Sequence, residues 1–257
     1  MFYYSATGNT KKACEHLHRK IPDLELIDMA QPRKKMIFDF DMVGFAFPVQ
    51  YLELPPVVRF FLELLPLANG KPAFLLSTFG IMGGKALRSA SKELQKKGYY
   101  ILDFFALRMP ESFPPFIAKG VTGNDAPTPA EVAAFNAFCD SIGEGVRRLG
   151  TGKAISPKKV KLGFWDAVIP APRRSKIMRQ FGTLSVHEGL CAACFSCRDA
   201  CPYGAIFAHG KPEFDMSRCR ACFACLNTCP NGAISVSGGP SLPQYKSNAG
   251  MIEEKFK

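Results

Sequence analysis

The chain opens on a short apolar run, Phe2-Tyr3-Tyr4, which passes into Ser5-Ala6-Thr7-Gly8-Asn9-Thr10 and then into helical spacing up to about Lys20. Apolar runs and amphipathic stretches alternate from there. Residues 24–27 read as a second strand. Residues 42–47 are continuously apolar and end at Pro48, the pattern of a strand buried on both faces. Residues 55–65 read as a helix with proline at its start. Residues 73–77 form another buried strand, residues 83–97 an amphipathic helix closed by Gly98, and residues 99–107 a fifth strand. Thr128 then sits as an N-cap with Glu131 three residues on, a capping box. Behind it Phe135, Phe138, Cys139, Ile142, Val146 and Leu149 keep helical spacing. Five strands alternating with helices predict an α/β fold over residues 1–150: a doubly wound, five-stranded parallel sheet with its ligand crevice at the carboxyl ends of the strands.

The pattern then changes. Residues 151–182 read as a basic linker that carries Pro157, Pro170, Pro172 and Trp165, the only tryptophan. Residues 183–238 repeat themselves: Cys191, Cys194, Cys197, Cys201 and Pro202 recur as Cys219, Cys222, Cys225, Cys229 and Pro230, an offset of 28 residues (219 − 191). The two copies predict a small α+β module with little apolar core, held by its metal. Residues 239–257 read as a polar tail.

Composition narrows the class. Hydrophobic residues make up 47% and charged residues 21%, as in ordinary globular chains. No apolar run approaches the roughly 18 residues that cross a bilayer. The first residues lack a basic segment followed by an apolar one, so a cytoplasmic protein without a membrane span is expected. The net charge is +11. Much of it comes from Lys153, Lys158, Lys159, Lys161, Arg173, Arg174, Lys176 and Arg179, which face Asp166 alone within that stretch. No amphipathic basic helix or aromatic stacking platform accompanies these charges, so nucleic acid is not the expected partner.

Eight of the ten cysteines fall between Cys191 and Cys229. Each copy has the spacing Cys-x2-Cys-x2-Cys-x3-Cys-Pro. Zinc is the competing metal for Cys-x2-Cys, but zinc sites take their four ligands as two separated pairs. Three cysteines at consecutive x2 spacing followed by Cys-Pro, twice over, point to iron–sulfur clusters. Over about 50 residues this segment resembles the bacterial two-cluster 4Fe-4S ferredoxins. The resemblance implies two 4Fe-4S clusters, one-electron transfer at low potential and crossed ligation, in which the Cys-Pro turn carries each copy's fourth cysteine to the other cluster. One cluster would take Cys191, Cys194, Cys197 and Cys229; the other would take Cys219, Cys222, Cys225 and Cys201. Arg220 follows the first cysteine of the second copy, where the first copy has Ala192. A cation there either stabilises the added charge of a reduced cluster, raising its potential, or is a solvated surface arginine.

The loop Ser5–Thr10 lies between a first strand and a first helix. Small hydroxyl residues around a glycine let backbone N–H groups and a helix start approach a phosphate. Neither a Walker loop nor a Gly-x-Gly-x-x-Gly fingerprint is present. Residues 1–149 resemble the flavodoxins, whose Ser/Thr-x-Thr-Gly-x-Thr loop binds the FMN phosphate. The resemblance implies FMN with its phosphate on Ser5, Thr7, Gly8, Asn9 and Thr10, and poor binding of FAD. It places the flavin ring between two further loops, Pro48-Val49-Gln50-Tyr51-Leu52 and Thr78-Phe79-Gly80-Ile81-Met82-Gly83-Gly84. Tyr51 and Phe79 would stack on the ring; Gly80, Gly83 and Gly84 would let backbone approach it. Lys11 and Lys12, cations in a first helical turn where they oppose the dipole, depart from the flavodoxin pattern, in which the phosphate has no nearby cation; they either help hold phosphate or point to solvent.

Cys14 and Cys139 are expected to be buried free thiols on one side of the sheet. His16, His18, His187 and His209 make no ligand set, and no catalytic triad or carboxylate pair is visible. Taken whole, the chain resembles the flavodoxin–ferredoxin fusion proteins of anaerobic bacteria and archaea. This implies an electron carrier that exchanges electrons with redox partner proteins, acidic ones by charge. Two alternatives stay open. One is an FMN-dependent reductase of a small substrate, with residues 110–119 (Glu111, Ser112 and Lys119 their polar groups) as a lid. The other is a docking module whose first half has lost FMN. The oligomeric state is left open.

Overall fold

The computed structural model describes residues 1–30, 39–151, 156–161, 163, 166, 168–237, 242–246 and 249–256. Lys153 and Trp165, noted above, lie outside the described residues. The chain forms two compact units. One holds residues 1–110, 123–171 and 248–257; the other holds residues 111–122 and 172–247.

The first unit is built on five strands: β1 (Phe2–Tyr3), β2 (Ile27–Asp28), β3 (Val43–Pro48), β4 (Pro72–Phe79) and β5 (Tyr100–Arg108). All pair in parallel, in the order 2-1-3-4-5. That order is the flavodoxin-like doubly wound arrangement, whose ligand crevice lies at the strand order's reversal between β1 and β3. Helices α1 (Asn9–Lys20), α2 (Pro56–Glu63), α3 (Ala86–Lys96) and α5 (Pro129–Gly150) accompany the sheet, with the short turn α4 (Pro114–Ile117) before the last of them. The apolar runs are continuous because both faces of the sheet are covered. Phe2, Phe45 and Leu75 share one core with Val58 and Leu62 of α2 and Leu94 of α3. Their neighbours in register, Tyr3, Ala46 and Leu76, face the opposite core with Leu17 of α1 and Phe135 and Phe138 of α5. The Thr128–Glu131 capping box forms in both directions.

Two expected boundaries differ. The stretch read as a linker is divided between the units and holds structure in each. Lys158 donates its N–H to the Ile101 carbonyl (2.7 Å) and its ammonium to Asp103 (2.7 Å), while Val160 packs on the first core. From Pro172 the chain belongs to the second unit, where helix α6 (Arg174–Phe181) buries Ile177 and Phe181. The residues read as a polar tail end in helix α9 (Ala249–Lys255), whose Ile252 is fully buried beside Ala13, Cys14 and Leu17; Phe256 stacks on His16 at 4.6 Å. In both stretches charge dominates the pattern, and a few well-placed apolar residues set the fold.

The second unit pairs β6 (Thr183–Val186) with β9 (Ile234–Ser237), and β7 (Ile206–His209) with β8 (Lys211–Phe214), both antiparallel. The short helices α7 (Ser196–Asp199) and α8 (Ala224–Thr228) each carry the third cysteine of their copy, Cys197 and Cys225, as the second residue. The repeat is conserved in backbone geometry within the chain. Ala193 and Phe195 have φ of 51° and 56°, and Ala221 and Phe223, 28 residues on, have 49° and 57°.

Candidate functional site

Four non-glycine residues in left-handed conformation are costly, about 1 kcal/mol or more each, and they cluster where the chain must wrap something. Here each lies between cysteines of one copy. The two loops so formed border two separate cavities. One is lined by Cys191, Cys194, Cys197 and Cys229, the other by Cys201, Cys219, Cys222 and Cys225. Each foursome takes three cysteines from one copy and the fourth from the other. Among the described residues, no three of His, Cys, Asp or Glu close on a point suited to a single metal ion; the sulfurs ring a cavity.

Backbone N–H groups donate to the fourth cysteines in the same way in both copies: Ala205 to Cys201 Sγ (3.4 Å) and Ala233 to Cys229 Sγ (3.3 Å). Such bonds favour the thiolate, the form that binds iron. Burial acts the other way on the bare thiols. It pushes Cys197, Cys219 and Cys225 up and Cys222 up to about 12. Cys194, which is exposed, is lowered by its bond with the Ser196 hydroxyl. Buried thiols of this kind lose their protons when a metal takes their place.

In the first unit, Gly8 precedes α1 with φ of 94°, and a side chain there would extend into open space. The Ser5 hydroxyl accepts the N–H groups of Gly8 (3.1 Å) and Lys11 (3.2 Å), which shapes the loop. The first turn of a helix has N–H groups without intrahelical carbonyls, the usual donors to an anion; in α1 the one of Lys11 goes to Ser5. Thr7 is half-buried. Two expected phosphate side chains are engaged elsewhere: the Asn9 amide donates to the Pro110 carbonyl (2.9 Å), and the Thr10 and Thr78 hydroxyls bond at 2.8 Å. These ties join the loop after β1 to the ends of β4 and β5. Lys11 pairs with Glu15 (3.8 Å) and Lys12 with Glu253 of α9 (3.4 Å), which offsets the cations in this turn.

The loop after β3 is a tight hairpin turn in which Gln50 and Glu53 exchange both backbone bonds, with Tyr51 and Leu52 at φ of 53° and 65°. Primed turns demand positive φ at both central positions. The loop after β4 meets it: a Cβ on Gly84 would stand 2.3 Å from the Leu52 carbonyl oxygen, and Lys85 donates its N–H to that oxygen. Pro48, Tyr51, Phe79, Gly80 and Gly83 are half-buried. Gly84 also donates its N–H to Asp166 (2.8 Å), so the single acid of the basic stretch is a loop anchor. Its pattern gave no such signal, since the partner is a backbone group 82 residues away.

The polar groups that the reductase alternative assigns to a lid, Glu111, Ser112 and Lys119, lie in one compact segment. Residues 111–122 belong to the second unit. The Glu111 carboxylate accepts the N–H groups of Ser112 and Phe113, Asn227 donates to the Ser112 carbonyl, and Phe113 meets Phe181 and Phe223 at 5.6 and 5.7 Å. Cys14 and Cys139 are buried together with raised thiols, Cys139 to about 12. The side chain of His209 lies outside the described residues.

Comparison with known proteins gives one family match and several structural neighbours. Residues 183–230 match the family described as the 4Fe-4S dicluster domain. No curated protein matches the chain. Among solved structures, a flavodoxin from the domain Archaea is 18% identical with a TM-score of 0.42, covering 57% of this chain and 96% of its own. The two-electron reduced flavodoxin of Megasphaera elsdenii is 19% identical with a TM-score of 0.36, covering 41% of this chain and 85% of its own. The strand order itself carries the flavodoxin-like assignment. The chain therefore joins a flavodoxin-like sheet to a 4Fe-4S ferredoxin domain, and no helix among its described residues is long and apolar enough to cross a membrane.

Proposed function

We propose that this protein transfers low-potential electrons between two 4Fe-4S clusters and a bound FMN, and exchanges them with other redox proteins. The observation that carries the reading is the sorting of the eight cysteines into two foursomes, each around its own cavity and each drawn from both copies. Cys191, Cys194, Cys197 and Cys229 would hold one cluster, and Cys219, Cys222, Cys225 and Cys201 the other. Each cluster supplies one-electron chemistry, and FMN supplies both one- and two-electron chemistry. Ser5, Thr7, Gly8 and the backbone of Asn9 and Thr10 would hold the FMN phosphate; the loops carrying Pro48, Tyr51, Thr78, Phe79, Gly80 and Gly83 would flank the ring. The open space at Gly8 and the helix start behind it support this use of the loop. The engaged carboxylate of Glu111 removes a polar group that a substrate lid would need, so the electron-carrier reading is preferred to a reductase.

Protein purified without oxygen is expected to contain about eight irons, four per cubane, and one FMN per chain. Serine at Cys201 should remove the spectroscopic signal of the cluster held by the second copy, and serine at Cys229 that of the first. About four irons, or loss of the same signal from both variants, would refute the arrangement.

A further inference from the structure

The two cysteine cavities differ in charge. The wall of the Cys201/Cys219/Cys222/Cys225 cavity includes Arg220. The wall of the other has Ala192 at the matching repeat position and no charged side chain among its described residues. A second guanidinium supports the first cavity from outside the repeat. Arg174, on α6, donates to the carbonyls of Met216 (2.8 Å), Ser217 (2.9 Å) and Cys219 (2.9 Å). Arg220 donates to the carbonyls of Ser217 (3.1 Å) and Cys219 (3.3 Å). Both cations therefore converge on the backbone of one ligand position.

Several charged groups near the two loops form ion pairs. Arg198 pairs with Asp199 (2.8 Å) and Glu188 with Lys211 (3.0 Å) beside the first copy; Arg218 pairs with Asp215 (3.4 Å) beside the second. Arg174 differs from these cations in binding carbonyls and no carboxylate.

We infer that Arg174 and Arg220 give the Cys201/Cys219/Cys222/Cys225 site the higher reduction potential of the two, so that the first electron entering this unit resides there. The inference rests on the two-cluster reading above. A low-potential one-electron donor protein gives up one electron; a cubane with its four thiolates goes from about −2 to about −3 in charge, with no bond made or broken and no proton taken up. Fixed cations stabilise the −3 form more than the −2 form. In a partly buried site this difference is weakly screened. The Arg174 fork also keeps the negative ends of three carbonyls turned to a cation. The sites thus differ in potential although their cysteine motifs are the same, and their order follows from the side chains around them.

The test is a potentiometric titration of the full chain, followed by electron paramagnetic resonance, with iron content measured alongside. Wild type should take up two electrons at the clusters in separate steps. R174Q and R220A should each lower the higher step and leave the lower one in place. The double variant should shift that reduction equilibrium about tenfold, which is 59 mV for one electron. R174K, which keeps the charge, should retain the wild-type potential. If R174Q loses iron, A192R decides: it should raise the lower step and narrow the gap. Coincident steps in wild type, or unmoved steps in R220A and A192R with eight irons bound, would overturn the ordering alone. Fewer than eight irons in wild type would overturn the two-cluster reading and the ordering with it.

Discussion

Gly8 is where a single residue decides most in the first unit. Its φ of 94° lies in a region that a side chain enters at a cost of about 1–2 kcal/mol, and the space a Cβ would occupy is empty of protein atoms. A branched residue there pays the backbone strain and also fills the space proposed for the phosphate. G8V is therefore expected to bind no FMN while keeping its full iron content, because the cysteines belong to the other unit. Flavin and iron assays on the same preparation check this; stoichiometric FMN in G8V would sink the phosphate assignment. The loop's position between strand and helix was readable in the sequence, and so was Gly8. The destinations of the Asn9 and Thr10 side chains were not, because their partners, Pro110 and Thr78, are brought in by the sheet.

At the scale of elements, α9 fastens to α1 and α5 through Ile252, Phe256 and the His16–Phe256 stack. His16 Nε2 meets the Asn136 side-chain oxygen at 2.7 Å, and Nδ1 is buried with no partner among the described residues. Protonating Nδ1 would bury an unpaired N–H, and burial accordingly holds the imidazole below its ordinary pKa. The unfolded chain then binds more protons than the folded one near the ordinary value of about 6.5, so stability rises with pH through that window and is lost as pH falls below it. H16Q should flatten this dependence in denaturant melts at pH 5 and pH 8. An unchanged slope would place the titrating group elsewhere. Truncating Ile252 to alanine should cost about 2–5 kcal/mol, as for other fully buried residues. The sheet and its main helices were legible because their apolar runs are long and bounded by Pro48, Gly98 and the Thr128 cap. The last helix was not, because only Ile252 and Phe256 mark it and neither repeats. Likewise Ile177 and Phe181 were hidden among the cations of the stretch taken for a linker. The crossed cysteine foursomes are what the resemblance to two-cluster ferredoxins implies; that the same foursomes line two separate cavities is visible only in the folded chain.

For the whole molecule, the proposed exchange with acidic redox partners can be tested through its charge. The net charge of +11 falls to roughly +5 if two oxidised clusters and an FMN contribute about −2 each. The net charge stays the same, but Lys158 is paired locally with Asp103 and the Arg174 guanidinium is engaged by the carbonyls near Cys219. What remains at α6 is its N-cap Arg173 with Lys176 and Arg179 of the helix, three residues apart and exposed, while Ile177 and Phe181, four apart, are buried. Such a row of fixed cations steers an acidic carrier more than it tightens binding, so its effect belongs to the association rate and shrinks as salt rises. Reversing Arg173, Lys176 and Arg179 to glutamate, with Arg174 left intact to keep the cluster loop in place, is expected to slow electron exchange with an acidic ferredoxin about tenfold or more at low ionic strength. The same variant should approach the wild-type rate near 1 M salt, where the screening length is about 3 Å. K159E/K161E, on the first unit, serves as the comparison: an equal loss there would mean that long-range net charge sets the rate. Stopped-flow rates across a salt series separate these outcomes, and equal rates for wild type and the α6 variant at low salt would remove α6 as the docking face.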